Sequence, residues 1–95
     1  MQILMIARLK PDASVEKFLP LIKPEAAKTW EFLKQGLIRQ TWYLTKEKGV
    51  VFLWEAESVE TVEQAMHEYP MHQADLLDVQ LLPLGPYTAL EGLFG

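Results

Sequence analysis

"LIRQTWYLTKEKGVVFLWEAES", Leu37 to Ser58, holds two apolar-rich runs around a short polar break. "LIRQTWYLT" and "VVFLWEAE" are rich in β-branched and aromatic residues, the types that fit a pleated, half-buried surface. "KEKG" between them predicts a hairpin turn, with Gly49 supplying the backbone angle that other residues avoid. Ser58 stands where a helix N-cap belongs. After it Val59, Val62, Ala65, Met66 and Tyr69 recur at helical spacing as one apolar stripe, which Pro70 closes. The stretch therefore reads strand, strand, helix.

Working outward, "QILMIARL" (2–9) predicts a first strand that ends before Pro11-Asp12. Asp12 or Ser14 can cap the segment that follows, in which Val15, Phe18, Leu19, Ile22, Ala26, Trp30 and Leu33 fall near helical spacing. Pro20 and Pro24 interrupt it, so the expectation is a lead-in turn and then a firm helix from Pro24 to Gln35. Gly36 stops that helix as a left-handed C-terminal residue. "LLDVQLL" (76–82) is the last strand. The order βαββαβ is the ferredoxin-like arrangement, α+β, with a four-stranded antiparallel sheet carrying both helices on one face. Residues 1–95 make one domain.

Strict alternation assigns two sheet faces. Ile3, Met5 and Ala7 with Ile38, Trp42, Phe52, Trp54 and Val79 belong under the helices. Leu4, Ile6 and Arg8 with Arg39, Thr41, Tyr43, Val51, Leu53, Glu55 and Leu82 form the other face. Half of that second face is apolar, which is unusual for a sheet surface left in water. A second copy of the sheet would cover it and give a dimeric α+β barrel with a mixed interior.

Composition points the same way. A chain this short buries only about 60–65% of its unfolded surface. It has no cysteine, hence neither disulfide nor thiolate metal site, yet 49% of its residues are hydrophobic. Such a domain completes its burial against a partner subunit. A net charge of −4 without a basic cluster argues against nucleic-acid binding. The apolar run Ile3–Ala7 is too short for a signal peptide or a membrane span, so a cytoplasmic protein is expected.

From Gly36 to Leu82 the sequence resembles the muconolactone isomerase family of dimeric α+β-barrel proteins. The residues that carry the likeness are Gly36, Arg39 and Trp42 in "GLIRQTW", Glu55, Ser58-Val59-Glu60, Pro70, Asp78-Val79 and Leu82. The resemblance implies a homodimer or a ring of dimers, and a cofactor-independent enzyme that moves a double bond in an unsaturated lactone. Three family positions differ here. The helix-two histidine is Glu63, the arginine after the strand-two tryptophan is Tyr43, and the aromatic turn after Pro70 is "HQA", His72 to Ala74.

Moving a double bond conjugated to a carbonyl needs a base of raised pKa, a proton donor and a group that holds the enolate or carboxylate. Glu55, a carboxylate on a mostly apolar face, is the expected base. Arg39 on the neighbouring strand, with Arg8 on the same face, is the expected carboxylate anchor. Tyr43 and His72 are the expected donors. In the bland alternative, Arg39 and Glu55 merely pair across the sheet or between subunits. His67 lies four residues after Glu63 and reads as a surface partner for it. Pro70 breaks the spacing from His67 to His72, so no metal site is expected. Trp42 and Trp54 read as core. Two further functions stay open: a non-catalytic binding or assembly protein, and a cofactor-free monooxygenase of similar shape acting on aromatic compounds. The apolar tail, with Leu90, Leu93 and Phe94, is expected to pack on a neighbouring subunit.

Overall fold

A computed structural model describes all residues, 1–95. Strands β1 (Gln2–Leu9), β2 (Ile38–Tyr43), β3 (Gly49–Glu55) and β4 (Leu77–Leu84) form one antiparallel sheet in the order β2-β3-β1-β4. Four helical segments cross between them: α1 (Val15–Phe18), α2 (Ile22–Gln35), α3 (Val59–Met66) and α4 (Pro70–Gln73). This is the expected ferredoxin-like α+β architecture.

The local signals explain most boundaries. A 3-10 turn over Leu19–Leu21 joins α1 to α2, and Pro24 falls in the first turn of α2. A missing N–H is harmless there, because the first amides of a helix have no partner within it. The helix therefore begins at Ile22, two positions before the proline expected to open it. Gly36 ends it at φ 78°, and the Leu37 N–H closes on the Phe32 carbonyl at 3.0 Å. Ser58 caps α3 by accepting from the Thr61 N–H at 3.3 Å.

Three expectations need correction. Pro70 does not simply close a helix; it opens α4 as that helix's first residue, where its fixed φ is pre-organised. Asp75 then takes the left-handed conformation at φ 58° that leads into β4. Gly49 has no left-handed angle to supply, since Gly36 is the positive-φ glycine. Gly49 is needed for closeness: a Cβ there would stand 2.5 Å from the Ala7 carbonyl oxygen.

The third correction matters most for the site. Ile38 pairs with Trp54, but Gln40 pairs with Leu53, so Arg39 is the extra residue of a β-bulge. A one-residue slip exchanges the faces of everything after it. Thr41 and Tyr43 stand opposite Phe52 and Val50 on the helix side, while Trp42 stands opposite Val51 on the open side. The simple alternation had put each of the three on the wrong face.

The core lies between the sheet and the helices. Ile3, Met5, Ala7, Ile38, Phe52 and Trp54 supply the sheet layer, and Phe32, Val62, Ala65, Met66 and Tyr69 the helix layer. The Phe32 ring packs at a tilt on Trp54 and Tyr69, with centroids 5.4 and 5.8 Å away. Leu4, Ile6, Val51, Leu53 and Leu82 share the open face through their pairings and stay partly exposed. Every residue from Pro83 onward is exposed. The radius of gyration is 15.3 Å, against about 12 Å for a compact chain of this length, because that tail reaches away from the body.

Candidate active site

The apolar stripe of α2 does not press fully onto the sheet. Beneath it lies a cavity of about 760 Å³, lined mostly by hydrophobic side chains. Its floor includes Tyr43 of β2, Phe52 of β3, Ala7 of β1 and Leu77 of β4; its roof includes Ile22, Ala26 and Leu33 of α2.

Three polar side chains meet on the α4 side. Glu25 projects from α2, and its carboxylate accepts from the Met71 N–H of α4 at 2.9 Å. Burial raises the pKa of Glu25 above the usual carboxylate value, against the opposing effect of that hydrogen bond. Thr29, one turn further along, donates to the Glu25 backbone carbonyl at 3.2 Å. Its proton is thus engaged, so Tyr69 is the donor in the 2.8 Å hydrogen bond between their hydroxyls. Tyr69 is only 1% exposed, and burial holds its phenol above the ordinary range, so it stays protonated at neutral pH.

The β2–β3 hairpin supplies the other side. Lys48 places its ammonium 5.3 Å from the centre of the Phe18 ring and makes no salt bridge. Glu47 beside it accepts from Arg8 at 2.9 Å, so its charge is answered. Lys48 is the only Lys or Arg among the lining residues.

The residues expected from the sequence are dispersed within the single chain. Tyr43 lines the cavity, brought there by the bulge. Arg8 reaches it indirectly, through Glu47. Arg39 turns back from the bulge and donates to the Gly36 carbonyl at 2.8 Å. Glu55 sits at the end of β3 on the open side, opposite Gln2, and contacts the N-terminal ammonium at 3.4 Å. Arg39 and Glu55 form no ion pair in one chain. His72 packs edge-on against His67, ring centres 5.0 Å apart. No group of three or more potential metal ligands occurs.

Glu25, Thr29 and Lys48 were not singled out from the sequence, and Tyr69 was read only as part of the apolar stripe of α3. One signal was present: Glu25 and Thr29 are four apart, beside Ala26 on the stripe that otherwise reads as apolar. A polar i, i+4 pair inside such a stripe marks a wet pocket or a hydrogen-bonded contact.

Comparison with known proteins agrees with this architecture. The family model for muconolactone delta-isomerase matches residues 2–89. Among solved structures, the chain is similar to 5-chloro-2-hydroxyhydroquinone dehydrochlorinase from Burkholderia phenoliruptrix AC1100, seen in complex with 2,5-dihydroxybenzoquinone. That match has a TM-score of 0.76 at 14% identity, covering 94% of this chain and 98% of the other. It is also similar to a crystal structure of muconolactone isomerase, with a TM-score of 0.75 at 17% identity, covering 92% of this chain and 91% of the other. No curated protein sequence matches it. No helix is long and apolar enough to cross a membrane. With the family model spanning nearly the whole chain and the fold agreeing from β1 to β4, the protein belongs to the muconolactone delta-isomerase family.

Proposed function

We propose that the protein is a cofactor-free isomerase that shifts a carbon–carbon double bond in an unsaturated lactone or related acid, and that the cavity under α2 is where it does so. The observation that carries this is Glu25: a carboxylate at the wall of an apolar cavity, made more basic by burial and held in place by the Met71 amide. A carboxylate made more basic by burial suits removal of a proton from carbon next to a carbonyl.

The step balances without any other reagent. The Glu25 carboxylate takes the proton from the carbon beside the carbonyl, and the C–H electron pair becomes the enolate. The resulting carboxyl returns a proton at the far end of the conjugated system, and the double bond ends displaced. Lys48 holds the substrate's negative charge, and Tyr43 at the cavity's edge donates a hydrogen bond to the oxygen on which charge develops. The Glu25 proton can be followed directly. With a panel of unsaturated lactones and acids in heavy water, the isomerised product should carry deuterium at the far end of the conjugated system, where the carboxyl returns its proton. Glu25→Gln should slow this by about 10²–10⁴-fold, the usual worth of a general base. Unchanged exchange in that variant would remove Glu25 from the role.

The open sheet face supports a second part of the proposal. Leu4, Ile6, Trp42, Val51, Leu53 and Leu82 make it too apolar for water, and a second copy of the chain packs its own sheet on it. The tail then lies on a neighbouring subunit. Native mass spectrometry should show a dimer or a multiple of dimers; a monomer would sink this arrangement.

A further inference from the structure

We infer that the acid taken up under α2 has a planar body of two or three fused rings, lying across the sheet with its charge at Lys48. This deepens the proposed function and rests on the same cavity.

Width is the first ground. The floor runs from Tyr43 on β2 to Leu77 on β4, the two outer strands of the order β2-β3-β1-β4. Neighbouring strands are about 4.8 Å apart, so three spacings give a floor about 14 Å wide. A single six-membered ring spans less than half of that. It cannot lie near Glu25 on the α4 side and reach the hairpin as well. The volume agrees: about 760 Å³ lies in the upper part of the roughly 300–1,000 Å³ range that holds drug-sized ligands.

The lining is the second ground. Trp30 from α2 and Tyr43 from β2 both border the cavity while 60% and 82% exposed. Aromatic faces left so open at a cavity suit stacking against a flat ligand. Lys48, the only lining cation and without a salt bridge, makes one end complementary to an anion. At the other side Glu25 meets the ring edge that exchanges its proton.

Calorimetric titration of the intact protein with benzoate, 2-naphthoate and anthracene-2-carboxylate tests this. Affinity should rise about tenfold with each added ring, from the apolar area removed from water. Trp30→Ala and Tyr43→Ala should each weaken the three-ring acid about tenfold, and Trp30→Ala should hardly change benzoate; both side chains are exposed enough to spare the fold. Lys48→Met should weaken 2-naphthoate but not neutral 2-naphthol. A flat series would overturn the inference. So would a ring-dependent affinity untouched by all three substitutions, which would place the ligand on the open sheet face. A gain in affinity on removal of residues 86–95 would put the tail in the cavity and overturn it too. The two readings fail separately. A flat series with Glu25-dependent deuterium exchange leaves the base in place, and a rising series with Glu25-independent exchange leaves the ligand class in place.

Discussion

The Met71 N–H donates to the Glu25 carboxylate at 2.9 Å, tying α4 to α2 across 46 residues of sequence. The bond fixes the carboxylate against the cavity, while burial keeps its pKa high. The folded state therefore holds the Glu25 proton through a window in which the unfolded chain has already lost it. The stability this supplies is complete below the unfolded pKa, about 4.3, and is lost as pH rises through the folded value. Glu25→Gln has no proton to lose and can still accept from Met71. Urea midpoints at pH 4 and pH 8 should show the wild type losing ground to the variant as pH rises. A constant difference between the two would mean that Glu25 is not desolvated in solution.

The bulge at Arg39 sends Tyr43 and Trp42 to opposite faces, and paired substitutions should show it. Tyr43→Ala should reduce ligand affinity and leave the oligomer intact. Trp42→Ala should loosen the oligomer and, because position 42 also borders the cavity, lower affinity less than Tyr43→Ala does. The reverse pattern would restore simple alternation along β2.

Two glycines should fail for different reasons. Gly49→Ala drives a methyl to 2.5 Å from the Ala7 carbonyl and 2.9 Å from Leu44, and should cost about 1–3 kcal/mol as an overpacked contact. Gly36→Ala meets nothing in space, but its φ of 78° should cost about 1–2 kcal/mol in torsion. Chemical denaturation measures both. Gly36→Asn should recover part of its loss, because asparagine tolerates the left-handed region; no substituent should rescue position 49.

Removing the tail after Ala89 deletes Leu90, Leu93 and Phe94, which are 58%, 72% and 91% exposed in the single chain. If they pack on a neighbour, native mass spectrometry should show smaller assemblies or easier dissociation. An unchanged assembly would leave the tail without that role.

What could be foreseen from the residues was mostly local. Gly36 and Ser58 act on the backbone within a few positions of themselves, so their caps show in the sequence. The four strands and the apolar stripe of α3 show for the same reason, as periodicity. The bulge does not show, because one extra residue in "IRQTW" changes no composition and no propensity, only the partner opposite. That hidden slip turned Tyr43 towards the helices and broke the expected neighbourhood of Arg39 and Glu55. Glu25 was missed on other grounds. The polar pair Glu25 and Thr29 in the apolar stripe was its one local mark, while its burial depends on where α4 comes to rest, far along the chain.

The central place of β1 has a consequence for biosynthesis. Gln2 lies opposite Glu55 on one side and Leu84 on the other, so the first strand of this sheet is flanked by its fourth. Such distant pairings slow folding, since loop closure must precede the contacts that reward it. At about 5–20 residues per second of synthesis, the apolar first strand waits several seconds for its final neighbour. Until β4 is made that strand stays half unpaired, and a chaperone that shields residues 2–9 should raise the soluble yield more than one that shields the hairpin.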